Sequence, residues 1–74
     1  MEKIKNRLVK SLLSKYNAEM DDAIARFEVY VKNPVAIGEH PQHTEEMDKL
    51  VAQYTDAKDK IDSLKEIIKE ISIN

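Results

Sequence analysis

The chain has 74 residues, with one glycine, two prolines and no cysteine, so a disulfide-stapled fold is excluded. Its 42% hydrophobic and 35% charged residues are too apolar for a disordered tail and typical of a helical bundle or coiled coil. The net charge of −2 indicates no general attraction to nucleic acid or membranes, and the short apolar runs predict neither a signal peptide nor a membrane span. We therefore expect a single cytoplasmic all-α domain.

The first predicted element is a helix over about residues 2–32. Its apolar residues are spaced by three and four, which is the heptad spacing of a coiled coil and excludes the period of two of a strand. These residues form the first half of the predicted hairpin core: Val9, Leu13, Tyr16, Met20, Ala23, Phe27 and Tyr30.

A connector over residues 33–43 follows, because Pro34, Gly38 and Pro41 all fall within it. Proline lacks the amide hydrogen that a helix needs and disfavours helical angles in the preceding residue. Val35 and Ile37 are apolar where a plain linker would be polar. They predict a connector that folds back to cap the end of the bundle, or alternatively a recognition loop.

The second predicted helix covers about residues 44–71. Thr44 is a plausible N-cap, and an alternative start places Pro41 at the first helical position. The heptad spacing is uninterrupted along this helix. Its seam supplies the second half of the predicted core: Met47, Leu50, Tyr54, Ala57, Ile61, Leu64 and Ile68.

The two seams pair if the chain folds back at Gly38. This register places Phe27 opposite Leu50 and Ala23 opposite Tyr54, so that small residues face large ones as close packing requires. The sequence therefore predicts one domain over residues 1–74, an antiparallel two-helix hairpin that resembles a coiled coil.

Further apolar residues flank the seams and widen the apolar stripe beyond what one partner helix covers. A C2 homodimer, forming a four-helix bundle, would bury them, and a marginal monomer with half-buried flanks is the alternative. The predicted dimer or partner face consists of Leu12, Ile24, Val31, Val51 and Ile67.

The first fifteen residues carry five basic side chains and one acidic one. A basic amphipathic start fits a phosphate backbone or an anionic membrane, although no aromatic stacking residue precedes Tyr16. The competing interpretation is a solvated helix face. The residues that would contact nucleic acid are Lys3, Lys5, Arg7 and Lys10.

The connector also contains His40 and His43, a weak candidate pair for a metal ion because structural zinc sites usually have four ligands. We expect no bound metal and no cofactor. The sequence has no cysteine nucleophile, no Gly-rich phosphate loop and no G-x-S-x-G turn, and therefore predicts no enzymatic activity.

The segments 27–41 and 45–50 contain Glu-Val-Tyr, then Asn-Pro-x-x-Ile-Gly-Glu-His-Pro, between two helical arms. In this core the chain resembles small helical-hairpin proteins of tailed bacteriophages, especially marine and cyanobacterial phages. The resemblance implies a viral origin and expression in the cytoplasm of a bacterial host. It implies no activity and no functional residue.

The leading hypothesis from the sequence is a non-enzymatic interaction or adaptor protein, a homodimeric helical bundle that binds a host or phage protein. The alternative is a nucleic-acid-binding accessory protein that uses the basic N-terminal segment.

Overall fold

The computed structural model describes residues 5–33 and 43–71, which form two α-helices. Helix α1 is Arg7–Lys32 and helix α2 is His43–Glu70. The helices pack side by side as a hairpin of 51 × 19 × 16 Å, and no strand occurs within the described ranges. The predicted all-α hairpin is confirmed.

Helix α1 begins at an asparagine cap. The Asn6 side-chain oxygen accepts hydrogen bonds from the amides of Leu8 and Val9 at 3.0 and 3.1 Å, which satisfies two of the free donors at a helix start. Lys5 and Asn6 are not helical. The prediction of a continuous helix from about residue 2 is therefore wrong, because the Asn6 cap sets the first helical residue at Arg7.

Helix α1 ends where the sequence breaks. Asn33 leaves helical angles, with φ −146° and ψ 60°, and its amide donates to the carbonyl of Val29 at 2.9 Å. This agrees with the rule that the residue before a proline is pushed out of the helix. The predicted cap residues Val35 and Ile37, and the alternative helix start at Pro41, lie outside the described residues.

Helix α2 is already helical at His43. The prediction of Thr44 as its N-cap is therefore wrong, because Thr44 lies inside the helix. The His43 ring packs edge-on against Tyr30 of α1, with ring centroids 5.4 Å apart, and this contact holds the residue before Thr44 in place. At the other end, the amide of Ile71 donates to the carbonyl of Ile67 at 3.0 Å, one residue beyond the last helical residue, Glu70.

The core is a single row of side chains between the helices. The fourteen predicted core residues, from Val9 to Tyr30 and from Met47 to Ile68, are all buried or half-buried. The two seam alanines, Ala23 and Ala57, are the most completely covered, with 2% and 1% of their surface exposed. By register each faces a larger side chain of the other helix, which covers the alanine and lets the backbones approach.

The aromatic seam residues remain half-buried, because two helices cover each seam from one direction only. Burial on this scale is modest, and a single core in so short a chain rarely supplies more than about 3–5 kcal/mol. The two sides of the hairpin, where seam side chains reach the surface, are therefore where a partner would add stability.

Candidate protein interface

An apolar groove opens between the helices on one side of the hairpin. Its cavity of about 230 Å³ has Ala23 and Phe27 of α1 and Leu50 and Tyr54 of α2 among its lining residues. These residues are the predicted pairs Phe27–Leu50 and Ala23–Tyr54, so the groove agrees with the predicted register.

Two exposed aliphatic residues form the rim of this groove. Ile24 of α1 and Val51 of α2 also line it, and 47% and 50% of their surfaces are exposed. Each follows a seam residue directly, as does Val31, which is exposed as well. At 100° per residue such positions lie on the same flank of the seam. We call this flank, with Ile24, Val31 and Val51, the Val51 side.

The predicted partner face does not lie on one side of the hairpin. Leu12 and Ile67 are exposed like the other three residues, but each precedes a seam residue and so flanks the seam from the opposite direction. The grouping of Leu12 and Ile67 with the other three residues was therefore wrong, because it considered only that a residue flanks the seam and not whether it follows or precedes a seam residue.

The opposite side is joined by a polar link that the sequence pattern did not predict. The Gln53 amide nitrogen donates to the Glu19 carbonyl at 2.8 Å and to an Asp22 carboxylate oxygen at 3.0 Å. The hydrogen bond from Gln53 lowers the pKa of Asp22 below its ordinary value, and the neighbouring Arg26 acts in the same direction. We call this flank the Gln53 side. The sequence indicates this link only by position, because Gln53 and Glu19 each precede a seam residue and therefore lie on the same flank.

Cations add to the closure of the Gln53 side. The ammonium groups of Lys15 and Lys60 lie 5.9 and 5.8 Å from the centroid of the Tyr16 ring, within range of a cation–π interaction. Lys60 also pairs with Asp56 at 2.9 Å, and this contact raises the pKa of Lys60. The Gln53 side is thus covered by polar contacts where the Val51 side has an open apolar groove.

Of the basic residues predicted to contact nucleic acid, Lys3 lies outside the described residues and Lys5 precedes α1. Arg7 and Lys10 are exposed on α1, and no ion pair forms at either within the described part of the chain. Lys10 follows the seam residue Val9, which places it on the Val51 side.

Helix α2 contributes Lys58 and Lys65 to the same side, because each follows a seam residue, Ala57 and Leu64 respectively. Both lysines are exposed, and the ion pairs formed within residues 5–33 and 43–71 involve neither. The Val51 side therefore changes along its length from apolar near the connector to basic near the start of α1.

Only one of the two candidate metal-binding histidines, His43, lies among the described residues. His43 is half-buried against Tyr30, and His40 lies outside the described residues. Within the described ranges, no three His, Asp or Glu side chains are grouped so that they would hold a metal ion.

A second apolar patch lies at the end of the hairpin away from the connector. Leu8 is the most exposed of the large apolar residues in the described chain, at 83%. Leu12 of α1, and Ile67 and Ile71 at the end of α2, are also exposed, and the hairpin register places them at the same end as Leu8. Ile71 continues the α2 seam, but it is exposed because α1 begins at Arg7 and offers no helical residue opposite it.

Comparison with protein-family models, curated proteins and solved structures found no match to this chain. Neither described helix has a stretch long and apolar enough to cross a bilayer. The chain is a two-helix hairpin with an apolar groove on its Val51 side and a second exposed apolar patch at the end away from the connector.

Proposed function

We propose that the chain is a non-enzymatic interaction protein that acts as a homodimer. A second copy covers the Val51 side, and the two hairpins together form a four-helix bundle. The observation that carries this proposal is the open groove at Ile24 and Val51, on the one flank of the seam that polar contacts do not close.

The size of the hairpin supports a stable interface. A face 51 Å long and 19 Å wide has room for the roughly 800 Å² per partner that a standard protein interface buries. A second copy would also complete the burial of Phe27 and Tyr54, which are only half-covered within one chain. Four-helix bundles are a common way for helices with wide apolar stripes to reach this coverage.

An adaptor role follows from the surfaces that such a dimer leaves free. The Gln53 side and the patch of Leu8, Leu12, Ile67 and Ile71 would stay open to another protein. The phage-like core in and around the connector supports a host or phage protein as that partner, in the cytoplasm of a bacterial cell.

Matched lysine substitutions test the dimer. Sedimentation equilibrium at micromolar concentration should give a dimer for the wild-type chain and a monomer for Val51→Lys, because the new charge would be buried in the groove. Val29→Lys is the control: Val29 is 44% exposed, similar to Val51, but does not line the groove.

A monomeric wild-type chain would overturn the proposal and leave the groove to a helix of another protein. Loss of the dimer in Val29→Lys, with Val51→Lys still dimeric, would show that the interface lies on the Gln53 side and would contradict the proposal. Helical circular dichroism of each variant would establish that the hairpin itself is intact.

A second candidate function is nucleic-acid binding, favoured by the exposed Arg7 and Lys10 and by Lys58 and Lys65 on α2. Cations that form no ion pair among the described residues are available to a phosphate backbone, and the affinity should then fall steeply with salt.

The test replaces Lys3, Lys5, Arg7 and Lys10 with alanine, which should abolish salt-dependent binding to DNA or RNA. The control replaces the ion-paired Lys32, Lys49 and Lys60 instead. No binding at low salt, or equal loss in both variants, would contradict this function.

A further inference from the structure

The Val51 side has a polarity that constrains how a second copy lies on it. Ile24 of α1 and Val51 of α2 meet at the groove, near the connector end. The hairpin register continued from this pair places Lys10 of α1 beside Lys65 of α2, near the start of α1. Both lysines are exposed. One end of the side is therefore apolar and the other is cationic.

A face-to-face dimer with twofold symmetry has two arrangements. In the parallel arrangement, α1 of each copy lies on α2 of the other at the same level, so that the connector ends coincide. Lys10 would then lie against Lys65 of the second copy, and Arg7 against Lys69. Glu28 would lie against Asp48 near the groove. Like charges placed opposite one another destabilise such contacts.

In the antiparallel arrangement, each helix lies on its own counterpart with reversed direction. If the twofold axis passes through the groove, Val51 lies on Val51 of the second copy and Ile24 on Ile24. Val31 then covers Asn17, and Lys58 lies on Thr44. Lys10 and Lys65 extend past the apolar contact and beyond the described helices of the second copy, so that neither faces a cation of those helices.

Among the described residues, like charges still meet in the antiparallel arrangement where Glu28 lies against Asp21 of the second copy, and at the symmetry-related pair. This repulsion is weakened by a neighbouring cation, since the Lys32 ammonium lies 2.8 Å from a Glu28 carboxylate oxygen. The parallel arrangement has like-charge contacts at both ends of the interface, and its lysines have no such neighbour among the described ion pairs.

We infer that the second copy binds the Val51 side in the antiparallel orientation, centred on Ile24 and Val51. This inference rests on the proposed homodimer and adds the orientation of its partner. The basic ends of the two copies then point away from each other, at opposite ends of the assembly.

Single cysteine substitutions give a direct test, because the chain has no cysteine of its own. A disulfide forms only when the two Cβ atoms come within about 4.5 Å. Val51→Cys and Ile24→Cys, one of them with a mass tag, are oxidised separately and as a mixture, and the products are resolved on non-reducing gels.

The antiparallel dimer should cross-link rapidly in Val51→Cys alone and in Ile24→Cys alone. The mixed disulfide, between one copy of each variant, should form only at background level. Val29→Cys, away from the groove, sets that background.

A predominant mixed disulfide would overturn the orientation and show the parallel dimer, while the proposed function would stand. Products from Val51→Cys and Ile24→Cys at the Val29→Cys rate, from a chain that sediments as a dimer, would also overturn it, since the interface would then lie elsewhere. A wild-type monomer would overturn the proposed function together with the orientation.

Discussion

Truncation of a seam leucine should remove most of the stability of the hairpin. Leu64 is 9% exposed and lies away from the groove, so that its loss affects the seam before it affects any interface. Leu64→Ala removes three buried carbon atoms, which at about 0.8 kcal/mol each corresponds to about 2.4 kcal/mol. The cavity adds little, because a one-layer core between two helices can close or admit water. Against a total of about 3–5 kcal/mol, this change is large.

Urea denaturation followed by circular dichroism, at one fixed protein concentration, measures the free energy of unfolding. Ile67→Ala is the matched control, because Ile67 lies on the same helix and has 55% of its surface exposed. We expect a much lower midpoint for Leu64→Ala and a small shift for Ile67→Ala. Lys58→Ala should not move the midpoint. Equal midpoints for all three variants would refute the assignment of the seam.

Three further predictions concern the helix start, the Gln53 side and the small seam residues. Asn6→Ala should destabilise the hairpin by about 0.5–2 kcal/mol, measured as a lower urea midpoint, because two amides at the start of α1 lose their acceptor. Gln53→Ala should raise the pKa of Asp22 toward its ordinary value, as followed by NMR titration of the carboxylate. Because the pKa of Asp22 is lowered in the folded state, the ionised carboxylate stabilises the hairpin fully at a pH above the ordinary pKa of an aspartate. This stabilisation is lost as the pH falls through the folded-state pKa. The loss of stability in acid should therefore be smaller in Gln53→Ala. Ala57→Leu should cost about 1–3 kcal/mol by forcing the helices apart, whereas Ala52→Leu, at an exposed position of α2, should leave the urea midpoint nearly unchanged.

The sequence predicted the core because the core depends on spacing alone. Residues three and four positions apart share a helix face, so that Leu50, Ala57 and Leu64 were identified without knowledge of their partners. The pairing of the helices followed from the position of the break. The spacing of three and four residues is repeated along both helices, so that one misassigned residue does not change the predicted core.

The helix start and the polar link at Gln53 were less accessible. Asn6 is a good cap residue, but capping at this position competes with a helix that continues through it. The heptad spacing does not decide between these two local structures. The side of each flanking residue was available from the spacing, because Ile24 follows a seam residue and Ile67 precedes one, but the prediction did not use this order. The Gln53 link requires two helices in register before its donor meets the Glu19 carbonyl.

The asymmetry between the two sides of the seam gives the fold a direction for assembly. Gln53, Lys60 and Asp56 make polar contacts on one flank, and a partner there would have to displace them or bury them unpaired, which is unfavourable. On the other flank Ile24 and Val51 have no such contacts to lose, and their burial is favourable. Exposed apolar residues such as Leu12 and Ile67 also lie on the Gln53 flank, but the open groove lies on the Val51 flank. Association through the Val51 side is therefore favoured for two reasons. It buries apolar area, and it leaves the polar contacts of the Gln53 side intact.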